Sequence, residues 1–259
     1  RLMDPYLRTR PIAIISSSHQ NGSIVSLSDE AKEEGLAVGM KVSIVRKMNH
    51  GVQLLPYNDS LYERIYHYVY RSVSSFSPIV EPQGISEFFL DMNGMRSLSR
   101  DIQDTGLSII DCIKEQTGLS GIIGISSNKL VSRIVTSVIP YRIHKVETGT
   151  ESQFLSPLSP WVLPVTKEYR VHQILKFLWI DHIGQIQSMA VQPKHFRIFF
   201  GVHSMMLDRE SKGYDTALVR PKNIKDHVLE QTVLKQDTND RSILYSILRD
   251  LSNKVSFKL

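Results

Sequence analysis

An α+β fold, with helices laid over one face of a sheet, is what this sequence predicts, and three observations predict it. Short apolar runs alternate with helical periods of ten or more residues as far as Val138. Capping residues and glycines stand where those periods start and stop. Hydrophobic residues make up 41% and charged residues 22% of the 259 positions, the balance of a globular chain, which excludes disordered and fibrous classes. A chain of that length buries a substantial core and divides into two or more compact units.

Residues 11–16 read as a buried strand, and residues 23–28 as its hairpin partner across the turn at Asn21 and Gly22. Ser28 and Asp29 cap a short helix that runs through Glu34 and closes at Gly35; a second glycine, Gly39, precedes Met40. From Asp59 the positions Leu61, Tyr62, Ile65, Tyr66, Val69 and Val73 recur at three and four residues, which predicts a helix to about Ser75. Residues 78–84 are turn-like and lead into a strand over 85–92. A helix over 99–117, a strand over 121–126 and a helix over 128–138 follow.

Beyond Gly149 the texture changes. Pro157, Pro160 and Pro164 introduce an all-helical unit with helices over 169–178 and 193–200, and the Lys-, Asp- and Gly-rich stretch 208–215 reads as a linker. Residues 228–234 suit a strand, and Leu244, Ile247, Leu248, Leu251 and Val255 mark an amphipathic helix begun near Asn239. A lone strand and helix would leave a bare sheet edge, so the natural protein is expected to continue past Leu259.

The formal charge of +5 suits a polyanionic partner, because Lys and Arg displace condensed counterions from phosphates; it equally describes an ordinary solvated basic surface. The single cysteine, Cys112, has no internal partner for a disulfide and reads as a small core residue. The nine histidines follow no metal-ligand spacing, which argues against a zinc site. No apolar run approaches the roughly 20 residues that span a bilayer, and the start lacks a signal-peptide core, so a cytoplasmic, non-membrane protein is expected.

Lys129 and Arg133 lie four apart on the helix after Asn128, one face near its N-terminus, where they suit phosphate; the plain alternative is a solvated face. Gly118, Gly121 and Gly124 lack the order of a dinucleotide loop and read as a turn followed by a strand. Trp161 and Trp179 read as core aromatics, with Trp161, between two prolines, also open to a partner.

Five blocks, in order, resemble the Y-family of translesion DNA polymerases, and more narrowly the ImuB-like subunit of the bacterial mutasome. They are Arg8-Thr9-Arg10-Pro11-Ile12-Ala13-Ile14; Glu30-Ala31-Lys32-Glu33-Glu34-Gly35-Leu36-Ala37-Val38-Gly39-Met40; Ser77-Pro78-Ile79-Val80-Glu81 leading into Gly84-Ile85-Ser86-Glu87-Phe88-Phe89-Leu90-Asp91; Gly124-Ile125-Ser126-Ser127-Asn128-Lys129-Leu130-Val131; and Phe154-Leu155-Ser156-Pro157-Leu158. The resemblance covers nearly the whole chain and implies a polymerase-like right hand. Its parts would be a palm over 1–20 and 78–148, fingers over 21–77, a helical thumb over 149–212, and the opening of a little-finger domain over 213–259.

The resemblance also implies what the chemistry would require. Two magnesium ions about 4 Å apart are held in such a site by converging carboxylates. One ligand would come from a strand before Arg1, for which Asp4 is a poor substitute. The adjacent acidic pair of the palm hairpin reads Ser86-Glu87 here, so one anionic ligand is a neutral hydroxyl. Asp91 lies about 13 Å along the strand from Glu87 and reads as a turn cap near Asn93-Gly94. At the triphosphate positions stand Asp29 and Lys32, and Ile139 replaces a lysine before Pro140.

The expected function is therefore a non-catalytic, DNA-binding, polymerase-like adaptor in translesion synthesis and SOS-type damage tolerance, with no cofactor. The alternative is a low-efficiency polymerase using Mg2+ at Glu87, with Lys32 on the nucleotide. The implied DNA contacts are Lys129, Arg133, Arg142, Lys145, Lys222 and Lys225. The implied partners are damaged primer-template DNA, a replicative-type polymerase, a RecA-like or small mutasome subunit, and the sliding clamp. The thumb resembles a helix-hairpin-helix unit, but Val165-Thr166-Lys167 stands where the family prefers a glycine hairpin.

Overall fold

The computed structural model describes residues 4–48, 51–95, 101–221, 229–232, 234 and 237–258. It separates into two compact units, Arg1–Glu63 with Asn223–Leu259, and Arg64–Lys222.

In the first unit, strands β1 (Ile12–Ile15) and β2 (Ile24–Leu27) form the expected antiparallel hairpin, with a register shift between Ile14 and Ile15. Gly22 is required in the turn, since a Cβ there would lie 2.1 Å from the Ser17 carbonyl oxygen. Helix α1 (Asp29–Glu33) starts where Ser28 Oγ accepts from the Ala31 N–H, and Gly35, at φ +83°, ends it. Two elements escaped the sequence reading: helix α2 (Val42–Met48) and strand β3 (Gln53–Pro56), which pairs parallel with β1 and makes it the centre of a three-stranded sheet. Ala13, Ile15, Ile24, Ala31, Leu36, Val42 and Val45 fill the core beneath it. Burying each isoleucine contributes about 1.5–3 kcal/mol.

Helix α3 (Asp59–Ser74) has the predicted bounds to within a residue, its first turn capped by Asn58 Oδ1 on the Leu61 N–H at 3.1 Å. In the second unit its Tyr66 and Tyr70 rings meet Phe88, and Val73 packs with Val80 and Ile109. The stretch read as turn-like contains a strand, β4 (Val80–Pro82), paired antiparallel with β5 (Phe88–Leu90). The strand expected over 85–92 shrinks to β5 because Gly84, at φ +82°, turns the chain and the Gln83 N–H closes onto the Glu87 carbonyl at 2.7 Å. Ile85 and Ser86 lie in that turn.

Helix α4 (Ile102–Thr117) is capped by Asp101 and ended by Gly118 at φ +71°; the first residues of the helix expected from 99 lie outside the described residues. Strand β6 (Ile123–Ile125) runs parallel to the unforeseen β7 (Ile143–Lys145), and between them helix α5 (Lys129–Val138) is capped by Asn128 Oδ1 on the Val131 N–H at 3.0 Å. Gly124 is the point of contact: a Cβ would lie 2.3 Å from the Ser132 carbonyl oxygen of α5.

Short helices follow: α6 (Glu151–Leu155), α7 (Tyr169–Phe177), α8 (Ile183–Ala190), α9 (Pro193–Phe200) and α10 (Ser204–Ser211). One core cluster runs through them and α5, with Val131, Val135, Leu155, Val171, Leu175, Ile183, Ile186, Phe200 and Leu207 essentially inaccessible. The supposed linker 208–215 is half helix, since Glu210 and Ser211 of α10 are buried. Trp179, at φ +52°, is 82% exposed and Trp161 40% exposed, so neither is a core aromatic; Cys112 is only partly buried.

In the first unit's second segment, residues 229–232 and 234 form no strand, the rest of the strand expected over 228–234 lying outside the described residues. Helix α11 (Arg241–Lys258) is present as expected. The strands are three or four residues long and form three small sheets among the described residues, rather than one broad sheet. No described helix is long and apolar enough to cross a membrane.

Candidate nucleic-acid interface

The face of α5 that carries Lys129 and Arg133 meets the β4–β5 hairpin, and each cation finds a carboxylate there. Lys129 Nζ lies 2.7 Å from Glu81 Oε1 and 3.4 Å from the Leu218 carbonyl, with the Phe89 ring centroid 5.1 Å away. The two charged side chains are only 16% and 15% exposed. Glu81 Oε2 accepts from the Arg220 N–H at 2.7 Å, and Gln83 Nε2 donates to Oε1 at 3.1 Å. Burial pushes the Glu81 carboxyl up, but the bonds from Lys129, Arg220 and Gln83 outweigh it and hold it below the usual carboxylate range.

One turn along α5, Arg133 Nε lies 3.0 Å from Glu87 Oε1, both side chains being more open to solvent. The expectation that Lys129 and Arg133 share a face is met, but Arg133 is the more available: an exposed pair is worth about 0–1 kcal/mol and yields to a competing phosphate, whereas the part-buried Lys129, with three partners, yields less readily. Arg142 pairs with Asp111, Lys145 with Glu147 at 2.7 Å, and Lys32 with Asp29 at 2.8 Å. Lys222 and Lys225 lie outside the described residues. The carboxylate partners were missed by sequence reasoning because Glu81 and Lys129 are 48 positions apart and Asp111 and Arg142 are 31 apart, separations that no local periodicity encodes.

The N-terminus of α5 is tied down as well. Asn128 Nδ2 donates to the Gly213 carbonyl at 2.8 Å, and Ser127 Oγ donates to Glu151 Oε1 at 2.5 Å. Burial raises the Glu151 carboxyl, and its bonds from Ser127 and the Gly149 N–H more than reverse this.

Ser86 and Glu87 are ill suited to ligate metal. A hydroxyl at an exposed turn beside a carboxylate already matched by a guanidinium is a poor donor set for two magnesium ions, and no group of three His, Cys, Asp or Glu suited to a metal occurs among the described residues. Asp91 Oδ1 accepts from the Asn93 N–H at 2.9 Å, the turn cap expected of it. Gly118 and Gly124 serve the helix end and the strand contact described above, not a nucleotide loop.

Residues 1–137 match the family model described as the impB/mucB/samB family. The chain belongs to that family. This impB/mucB/samB chain is 26% identical over 98% of its length to DNA polymerase IV of Dehalococcoides mccartyi strain CBDB1, and 27% identical over 98% to DNA polymerase IV of Moorella thermoacetica. It spans 65% and 64% of those relatives. Among solved structures it superposes over its whole length on 76% of a Y-family DNA polymerase chimera, with a TM-score of 0.78 at 16% identity. The fold is thus the α+β fold of Y-family polymerases, as the sequence predicted.

Proposed function

We propose that this impB/mucB/samB chain is the DNA-binding body of a non-catalytic, ImuB-like adaptor in translesion synthesis and DNA-damage tolerance. The observation that carries the reading is the state of the palm hairpin: Ser86 contributes no charge, and Glu87 is held by Arg133 at 3.0 Å. One carboxylate beside a neutral hydroxyl gathers too little negative charge for two divalent cations, while the polymerase-like surface remains to engage DNA. Magnesium is not part of this reading. The intended ligand is primer-template DNA at a lesion, in the cytoplasm, with an active polymerase, a RecA-like or small mutasome subunit and the sliding clamp as the assemblies it would serve. The parts of the hand are proposed as the sequence analysis gives them.

Arg133 and Arg142, both half-exposed, can each exchange a carboxylate for a backbone phosphate. Arg133→Ala with Arg142→Ala is expected to make the plot of log affinity against log salt shallower by about two, one per lost phosphate contact. An unchanged slope in a salt titration on primer-template DNA assigns the contacts elsewhere.

A second reading, a low-efficiency polymerase, draws on Glu87 itself and on the relatives named DNA polymerase IV. Primer extension by the full-length protein with magnesium or manganese separates the two. No extension is expected. Extension that Glu87→Ala abolishes overturns the adaptor.

A further inference from the structure

The helical part of the second unit carries a shallow groove of about 460 Å³ lined by Trp161, Thr166, Lys167, Tyr169 and His172. Its aromatic groups face solvent: Trp161 is 40% and Tyr169 78% exposed, and the indole and imidazole centroids lie 4.4 Å apart at 44°. Lys167, which lines it, and Arg170 and Lys176 of the same stretch are exposed, with Glu168 the one carboxylate between positions 161 and 180. Unlike the sequence-predicted cations on and near α5, these three make no ion pair among the described residues.

The turn beside the groove is also unsuited to gripping a backbone phosphate. The Val165 N–H already donates to Glu210 Oε2 at 2.9 Å, and that carboxylate is buried directly behind it. What the surface offers is therefore rings and unpaired positive charge. Stacking on exposed rings with cations alongside is how proteins hold unpaired bases, and it works for any base because each has a π-face.

We propose that this groove binds single-stranded DNA, seating an unpaired base against Trp161 and Tyr169 while Lys167 and Arg170 meet the flanking phosphates. This site is separate from Arg133 and Arg142 and does not depend on their role.

Trp161 and Trp179 are the two tryptophans, so Trp179→Phe leaves Trp161 as a single reporter. In that full-length background, an oligothymidylate is expected to quench Trp161 fluorescence and to bind about tenfold more tightly than an abasic oligomer of equal length and charge. Trp161→Ala, followed by anisotropy of a labelled oligomer, should lower thymidylate affinity about tenfold and leave abasic binding unchanged. Tyr169→Ala, at an exposed position, should reproduce the loss even if the tryptophan variant folds poorly. Equal affinity for the two oligomers overturns the proposal. So does quenching by an acidic proline-rich peptide but not by DNA, which would make the groove a protein-docking site. Duplex binding that falls only in the Arg133 and Arg142 variant, beside single-strand binding that falls only here, keeps the two sites distinct.

Discussion

Glu81→Ala is expected to destabilise the second unit by about 2 kcal/mol, the cost of leaving the part-buried Lys129 ammonium without its counter-charge. The same change removes the acceptor for the Arg220 N–H. Chemical denaturation of the full chain measures it, and a loss under about 1 kcal/mol would mean that water reaches the pair. Replacing both charges, Glu81→Leu with Lys129→Met, should recover most of the loss, because the desolvation cost leaves with the charges.

The pH dependence has a defined sign. Glu81 and Glu151 both sit below their ordinary values in the folded chain. The unfolded state therefore binds more protons, so their stabilisation is complete at neutral pH and is lost as the pH falls from the ordinary carboxylate range through the folded values. Glu210 acts oppositely: burial raises its carboxyl, so the folded chain gains protons there first and is relatively favoured by mild acid. Glu81→Ala should flatten the acid limb of the stability curve.

The second large effect is at Gly124. Alanine places a methyl 2.3 Å from a main-chain oxygen of α5 and 2.9 Å from Val135 Cβ, and neither can swing aside as a flexible side chain would. Separating β6 from α5 disturbs the core that α5 shares with α6 to α10. A loss of about 3 kcal/mol, or a fall of about 8 °C in melting temperature, is expected. A variant melting with the parent would show that strand and helix part without strain.

These two sites also mark where the sequence was legible. Helix starts were readable because their causes are local: Ser28, Asn58 and Asn128 each cap the turn that follows, and Pro193 opens α9 at its first position. Strands β3 and β7 were not, since each is three or four residues long and owes its existence to a parallel partner far away in sequence. Helix α10 was concealed by a composition typical of linkers, although its buried Leu207, Glu210 and Ser211 belong to the core. At the candidate interface, the cations and the shared face of Lys129 and Arg133 were visible, but the neutralisation of Lys129, Arg133 and Arg142 was not, because their pairing depends on tertiary proximity. Trp161, read most simply as a core aromatic, is instead exposed, an exposure that follows from the turns around Pro160 and Pro164.

The contacts that Leu218 and Arg220 make with Lys129 and Glu81 set a lower limit on any excised version of the second unit. A fragment stopping at Ser211, where α10 ends, would look complete by its secondary structure. It would nonetheless strip a part-buried carboxylate of its main-chain donor and a part-buried ammonium of a carbonyl. Any piece of this unit that keeps both bonds therefore reaches Arg220.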